Sequence, residues 1–448
     1  ASCLVGSEMC IRDRNISFNL LSQIPLILSG IIVSIISSRM LGAGGKGILG
    51  MYTQNIILIN LLFGLGLNQA ATYFSSINKE RLGPILKVGL LHFIISALIT
   101  SLLALILFLV NNESTAIPRI ENYYWAFIYM SISIILNQVN GYINAILFGT
   151  QEFKKANKLS LLKAIISTLL FLILYAFEDK INNSIIIQVM FVSLIGNAFQ
   201  LLISLKALNS LKIEWKEALT FEHIKSFYLF SKEGYLSSIL NYVNYRIDIF
   251  ILANYAPISE VGIYLLAVNL SQMFWLISDS FSKILTPKFT KKRLTQLRIS
   301  ILFRFFRLNS TAIILLSLAV AILSPWLIPA VFGNEFAETA FLLNILMIGN
   351  VFACSSKVLS IIPFASNNLQ INLIATMVGV VFTLIFDLTL IPIFGSIGAA
   401  AASSISYLSI FISILLLSSK KLQFPIYNPL VLSNKDFNFF INRSKNLM

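Results

Sequence analysis

Residues Ser237 to Ala256 read SSILNYVNYRIDIFILANYA. As a helix the run is long enough to cross a bilayer, which takes about 20 mostly apolar residues. Yet it carries Arg246 and Asp248 near its middle, just after Asn241, Asn244 and Tyr245. An ionisable side chain centred in a membrane helix costs roughly 2.5–3.5 kcal/mol even on the lenient insertion scale. A helix that keeps two of them there needs something polar to face, and the expectation is a cavity inside a helix bundle.

The rest of the chain supplies the bundle. Of its 448 residues 57% are hydrophobic and only 12% charged, and the mean hydropathy is +0.83. These values lie outside the range of soluble globular domains and mark an integral membrane protein. Cys3, Cys10 and Cys354 offer no disulfide framework. His92 and His223 are too few for a zinc site of ordinary ligand count, and no metal or other cofactor is expected. The net charge of +14 raises nucleic acid as a partner, a question that the placement of the charge answers.

With the same length yardstick, the chain divides into twelve predicted helices, at 16–38, 48–75, 85–110, 123–148, 159–177, 184–205, 227–254, 262–285, 301–331, 338–364, 368–393 and 396–419. Twelve crossings put both termini on one side. With the N-terminus inside, most of the 33 Lys and Arg fall on the cytoplasmic side, including Lys154, Lys155, Lys158 and the run from Lys288 to Arg298. The outer connections hold Arg39, Lys46, Arg119 and Lys180 against acids such as Glu113, Glu121, Glu178 and Glu335. This is the asymmetry of the positive-inside rule. The charge therefore describes topology, and no nucleic-acid partner is expected. The two remaining bases, Arg246 and Lys357, and the acids Asp248, Asp279 and Asp387 fall in helices, all in the second half.

An internal repeat appears at an offset of about 212 to 216 residues. Gly50-Met51-Tyr52, opening the second helix, recurs as Gly262-Ile263-Tyr264 opening the eighth, and Phe148-Gly149-Thr150-Gln151, ending the fourth, recurs as Phe364-Ala365-Ser366-Asn367 ending the tenth. Two such matches at equivalent helix ends support a duplicated six-helix unit whose copies are parallel. The expected domains are an N-lobe of helices 1–6 at 15–205, a cytoplasmic linker at 206–225, a C-lobe of helices 7–12 at 226–419 and a basic cytoplasmic tail at 420–448. Residues 1–14 lack helical patterning, resemble a translated sequencing-adapter run, and are expected to be disordered or artefactual.

Helical spacing sorts the polar residues by face. Helix 1 aligns Asn19, Gln23, Gly30, Ser34 and Ser37; helix 2 aligns Thr53, Asn60, Gly64 and Asn68; helix 4 aligns Ser133, Asn137, Asn140, Gly141 and Asn144. Helix 8 offers Asn269, Gln272 and Asp279, helix 10 Asn350, Cys354 and Lys357, and helix 11 Asn368, Asn372, Thr376, Gly379, Thr383 and Asp387. Any single stripe is explained as well by helix-to-helix glue; six together favour a polar interior. In helix 7, Gly234, Ser237, Asn241, Asn244, Tyr245 and Asp248 share a face, whereas Arg246 lies about 160° from Asp248 at 100° per residue. Arg246 is thus expected to meet Asp279 or Asp387 on another helix, or to reach the cavity through a local break. The alternative is a buried ion pair that holds two helices in register. Since helix 1 has no comparable charged pair, electrostatic recognition is expected to concentrate in the C-lobe, with amides and hydroxyls in the N-lobe.

Soluble-enzyme motifs do not survive their context. Gly42-Ala43-Gly44-Gly45-Lys46-Gly47 satisfies G-x-G-x-x-G, but no strand precedes it, and Gly47 stands where a phosphate-binding loop needs Ser or Thr. Transport would draw on an ion gradient, the membrane potential or substrate flux.

The connection Ser38-Arg39-Met40-Leu41-Gly42 through Gly47 resembles the first turn of Wzx-type polysaccharide-repeat flippases in the multidrug/oligosaccharidyl-lipid/polysaccharide exporter superfamily. Supporting stretches are Phe148 to Gln151 before Lys154 and Lys155, Arg246-Ile247-Asp248, Val261 to Tyr264, Pro287 with its basic loop, Phe332 to Phe336, and Ile391 to Ala400. The resemblance spans residues 16 to about 420. It implies an all-α polytopic fold of two pseudo-symmetric six-helix bundles in a V, lined largely by helices 1, 2, 7 and 8. It also implies alternating-access transfer of a polyprenyl-pyrophosphate-linked oligosaccharide from the cytoplasmic to the outer leaflet of a bacterial inner membrane. The bilayer and the polysaccharide polymerase machinery are the further partners.

Under that resemblance, Arg246 is the first choice for pyrophosphate or an acidic sugar, then Lys357, then Arg39 at the outer mouth. Asn19, Gln23, Asn60, Asn137, Asn140, Asn241, Asn244, Tyr245 and Gln272 are candidates for the sugar hydroxyls. Asp248, Asp279 and Asp387 are candidates for ion coupling. The short polar tail from Lys420 differs from related lipid II flippases, which carry two extra C-terminal helices. The alternatives are a cation-coupled multidrug or small-solute exporter of the same superfamily and a membrane-embedded glycosyltransferase or polymerase. The longest outer connection, residues 111–122, is too short for a catalytic domain.

Overall fold

The computed structural model of the protein describes residues 23–77, 82–110, 123–177, 185–211, 213, 218–290 and 295–423. Among them all regular elements are helical. Numbered in chain order, the first seven are α1 (Gln23–Gly64), α2 (Leu67–Ile77), α3 (Leu82–Val110), α4 (Tyr123–Gly149), α5 (Phe153–Ala176), α6 (Ile185–Asn209) and α7 (Phe221–Tyr255). They are followed by α8 (Ile258–Met273), α9 (Trp275–Thr290), α10 (Gln296–Phe332), a 3-10 turn (Asn334–Phe336), α11 (Ala337–Leu359), α12 (Ile361–Ala365) and α13 (Gln370–Leu422). Residues 1–14, the linker residues 212 and 214–217 and the tail beyond Gln423 lie outside the described residues.

Among the described residues, nine helical segments are long and apolar enough to cross a membrane. Two of them bend. α1 turns at Gly42 (φ 62°, ψ −175°) and α13 at Gly395 (φ 55°, ψ −132°), each leaving arms of about 20 residues or more on either side, enough for two crossings. Glycine holds these angles without the steric cost a Cβ would add. The sequence reading took 39–47 as an outer loop; the chain instead stays helical on both sides of one glycine. In consequence Lys46, read as an outer-loop base, belongs to α1, where its ammonium donates to Ser37 Oγ (2.7 Å) and to Ser34 Oγ and the Ser34 carbonyl (both 3.4 Å). The eighth and tenth predicted helices also break, at Phe274 and Ser360. α7 is not among the nine, because its amides and charges dilute its apolar character.

The chain forms two compact units, one ending at Tyr242 and the other starting at Val243. The division falls inside α7.

In the N-terminal unit, α4 is the hub and packs on α1, α2, α3, α5 and α6. Its Tyr142 hydroxyl donates to the Ile85 carbonyl of α3 at 2.5 Å. Ser29 of α1 bonds α5 through the Ala164 carbonyl (3.0 Å) and Thr168 Oγ1 (2.7 Å). His92 of α3 sits between the Phe63 carbonyl (2.7 Å) and the Tyr228 hydroxyl (2.9 Å). Lipid supplies no hydrophobic drive between helices, so such polar contacts and close packing carry the cohesion.

In the C-terminal unit the hub is α11, packed on α8, α9, α10 and α13. Its closest neighbour is the small-residue run Ala399 to Ser404 of α13, where Ser404 Oγ donates to the Ile345 carbonyl at 3.0 Å. α4 and α11 are the fourth and tenth predicted helices, so both units are built around the same member of the repeat. The repeat also shows in the backbone. Gln151 (φ 64°) and Asn367 (φ 57°), matched in sequence, both adopt the left-handed conformation that ends their helices, and the matched Tyr52 and Tyr264 are both fully buried.

Candidate functional site: a polar interior in the C-terminal unit

Past Val243, α7 presents Asn244 and Asp248 one turn apart on one face. Both are buried against the two arms of α13. Asn244 Oδ1 accepts from Thr383 Oγ1 (2.9 Å) on the first arm and Ser406 Oγ (2.8 Å) on the second. Asp248 Oδ2 accepts from the Tyr264 hydroxyl of α8 and from Ser403 Oγ (3.2 Å), while Oδ1 accepts from the Ile249 amide (2.9 Å). Asp387, on the first arm of α13, is 0% exposed, and neither of its carboxylate oxygens has a hydrogen-bond partner. It lies close enough to Asp248 for the two charges to interact. Two carboxylates in low dielectric at short range repel and need compensation. The Arg246 guanidinium acts on Asp248 and offsets part of it; a proton or a small cation would supply the rest.

A second cluster is built from α7, α8, α9, α11 and the second arm of α13. Arg246 Nη2 donates to Gln272 Oε1 at 2.6 Å, while its Nη1 is buried without a hydrogen-bond partner. Tyr245, Trp275 and Tyr407 pack ring against ring, with centroids 4.9, 5.7 and 6.1 Å apart. Lys357 Nζ stands 4.6 Å from the Trp275 ring centre and donates to Asp279 Oδ1 at 2.7 Å. Trp275 Nε1 donates to Asn350 Oδ1 (2.8 Å), and Asn350 Nδ2 donates to the Ser271 carbonyl (2.6 Å), which fixes the indole. The Lys357 and Asp279 side chains are 25% and 37% exposed; Asp248 is 3% exposed. Lys357 is therefore reachable, Arg246 is half-buried, and Asp248 is closed off.

This geometry corrects two sequence expectations. Arg246 meets neither Asp279 nor Asp387; its partner is the neutral Gln272. An ion pair does tie two helices together, but it is formed by Lys357 and Asp279, which removes Asp279 from the buried acidic pocket. The predicted α7 face also divides. Asn244 and Asp248 point into the C-terminal unit, whereas Asn241 Nδ2 donates back to the Ser237 carbonyl of its own helix at 2.9 Å.

In the N-terminal unit, the Asn60 Oδ1 is buried with no partner. Asn140 Nδ2 donates to the Asn197 carbonyl of α6 at 3.1 Å, a link between helices. Asn137 is half-buried on α4, and Arg39 is exposed beside the α1 bend. Asn19 and the side chain of Gln23 lie outside the described residues. Sequence reasoning missed Trp275, Tyr407, Ser403 and Ser406. The run Ser403-Ser404-Ile405-Ser406-Tyr407 in helix 12 was the available signal, a hydroxyl stripe at helical spacing. It also missed Lys163, half-buried inside α5, which with the half-buried Lys46 puts cations on N-lobe helices beside the expected amides and hydroxyls.

Described residues that are helical throughout their regular elements, in two units each around its own hub helix, with charges held in a polar interior, define a polytopic membrane protein. Solved structures agree on the fold. A lipid II flippase, MurJ, in an inward closed conformation matches with TM-score 0.70 at 16% identity, over 89% of this chain and 87% of that one. An inward-facing MATE-family multidrug transporter matches with TM-score 0.67 at 13% identity, over 89% and 94%. Residues 13–292 match the family model described as polysaccharide biosynthesis protein, and the chain belongs to that family. A curated relative, the "Probable low-salt glycan biosynthesis flippase Agl15" of Haloferax volcanii, is 26% identical over 208 residues. That alignment covers 44% of this chain and 44% of the relative, so the chain spans under half the length of the protein it matches.

Proposed function

We propose that the protein is a flippase that moves a polyprenyl-pyrophosphate-linked oligosaccharide from the cytoplasmic to the outer leaflet of a bacterial inner membrane by alternating access. Both termini are cytoplasmic in this reading, and the polysaccharide polymerase that consumes the product is its functional partner. The observation that carries it is the pair of cations in the polar interior of the C-terminal unit, Arg246 and Lys357. Arg246 keeps one guanidinium nitrogen unpaired, and Lys357 is held by a single carboxylate that an incoming phosphate can replace. Charge-assisted hydrogen bonds to phosphate are about twice as strong as neutral ones. The Tyr245, Trp275 and Tyr407 rings beside them offer apolar faces for sugar rings, and Gln272 and Asn244 belong to the polar lining. Asn60 and Asn137, with Asn19, Gln23 and Asn140, are the hydroxyl partners proposed for the N-lobe, and Arg39 an outer contact.

Asp248 and Asp387 are the coupling element in this proposal. A cation or proton bound between them leaves when the pocket opens, and one charge crossing 100 mV is worth about 2.3 kcal/mol, enough to bias the cycle. The test is reconstitution in vesicles with a polyprenyl-pyrophosphate glycan and, separately, a lipophilic organic cation. The flippase reading expects the glycan to cross and Arg246→Ala to slow it at least tenfold while the protein stays folded. Export of the cation with no movement of the glycan establishes the multidrug alternative instead.

A further inference from the structure

Lys163 lies in α5, five residues beyond Lys158, the last exposed lysine of the basic segment that starts the helix. At 1.5 Å per residue its Cα is about 8 Å deeper in the span. Its face is the interior one. Residues one to three turns away on the same stripe are Ala156, Ser160, Ser167 and Leu174, of which Ala156 and Leu174 are buried, while Ile165, Leu169, Leu172 and Ile173 form the exposed face. Ser167 on that stripe touches α6 at Gly196, where a Cβ would come within 2.6 Å of Ser167 Oγ. Consecutive crossings run antiparallel, so one turn from Ser167 to Lys163 corresponds to one turn from Gly196 to Gln200, and the next turn to Ser204. Gln200 and Ser204 are buried, and Ser204 Oγ has no hydrogen-bond partner.

The two lysines inside this unit differ. Lys46 has three acceptors for its three donors, from Ser34 and Ser37, and serves as a brace for the α1 bend. Lys163, among the described residues, has no hydrogen-bonding or charged partner at all. A half-buried ammonium on the interior face of a membrane helix, without an acceptor among the described residues, is costly unless a ligand completes it.

We propose that Lys163 marks an anion site inside the N-terminal unit, shaped for a phosphate-class group, with Gln200 and Ser204 as neighbouring donors. The site rests on the flippase reading only for the identity of the molecule that carries the phosphate. Two carriers share the chemistry: the pyrophosphate of the transported lipid, entering from the cytoplasmic side, and the headgroup of an anionic phospholipid. The positive segment Lys154 to Lys158 at the start of α5 would concentrate either one there.

The test uses the full-length protein in neutral phosphatidylcholine nanodiscs, titrated with polyprenyl pyrophosphate in one arm and phosphatidylglycerol in the other, with bound lipid counted by native mass spectrometry. Lys163→Met keeps an unbranched side chain one atom shorter and removes the charge; since no partner among the described residues is orphaned, it is expected to fold, and the ligand-free melting temperature checks this. The expected result is saturable binding of polyprenyl pyrophosphate, at least tenfold weaker in Lys163→Met and restored within threefold in Lys163→Arg, as loss of a charge-assisted contact requires. The same pattern confined to phosphatidylglycerol assigns the site to a phospholipid headgroup. Equal binding of both lipids by wild type and Lys163→Met overturns the proposal and leaves Lys163 a lysine that snorkels to the interface. Should the wild type bind polyprenyl pyrophosphate through Lys163 yet move no lipid-linked glycan, the flippase reading fails and the anion site stands.

Discussion

Asp387 carries the sharpest chemical statement in the molecule, a fully buried carboxylate with neither oxygen bonded, beside an Asp248 that has three donors. If the two share a proton or cation that drives transport, Asp387→Asn and Asp248→Asn each remove half of the site. Transport measured between pH 5.5 and 8.5 should then lose its dependence on pH or on the monovalent cation gradient; an unaltered profile in both variants excludes the pair from coupling. The Lys357–Asp279 bridge makes a different prediction. It is partly exposed, so a double-mutant cycle with Lys357→Met and Asp279→Asn should give a coupling on the order of 1 kcal/mol in unfolding measurements. Transport should fall more with Lys357→Met than with Asp279→Asn, because only the first removes a phosphate ligand. Spacing along a helix identified most of these residues by type and depth. It did not identify their partners, because which acid a cation meets depends on helix packing. Arg246 illustrates this: two acids were within reach on paper, and the nearer acceptor proved to be Gln272 on α8.

At the scale of elements, the sequence was read as twelve separate helices, and the structure joins some and breaks others. Gly42 and Gly395 explain the joins. A glycine-rich segment looks like a loop, yet one positive-φ glycine is enough to turn a helix while its neighbours keep their hydrogen bonds. At Gly395 the bend is backed by Glu260 of α8, whose Oε1 accepts from the Ser396 amide at 2.7 Å and caps the second arm of α13. A Cβ at Gly395 would lie 2.5 Å from that oxygen, with φ at 55° besides. Gly395→Ala is therefore expected to cost roughly 1–3 kcal/mol, seen as a lowered melting temperature in detergent. A melting temperature equal to that of wild type would mean the bend is not held at this residue. The break at Phe274 carries no such punctuation in the sequence; what marks it is tertiary, the fixing of Trp275 on Asn350. The break at Ser360 does carry one, since Pro363 has no N–H to give the Leu359 carbonyl.

For the whole molecule, the hydropathy pattern and the faint repeat were enough to state the architecture, the first because the bilayer acts as solvent and the second because a duplicated unit repeats its helix ends. The repeat proved more regular in the backbone than in the letters. Gln151 and Asn367 share a conformation without sharing a residue type, and α4 and α11 take the same central place with different sequences. Less legible was the distribution of charge. Lys163 sits close enough to the basic start of α5 to read as part of a cytoplasmic segment, and Lys46 as part of a loop, so neither half-buried lysine was legible as a helix-interior cation. The central claim is that cations in the helix interior recognise the pyrophosphate of a lipid-linked glycan. It is tested most directly by following, in reconstituted vesicles, translocation of one oligosaccharide attached to polyprenol either through pyrophosphate or through a neutral ether, by wild type and Arg246→Ala. The account predicts that wild type moves the pyrophosphate-linked form at least tenfold faster than the ether, and that Arg246→Ala abolishes the difference. Equal rates for the two lipids with wild type would contradict it.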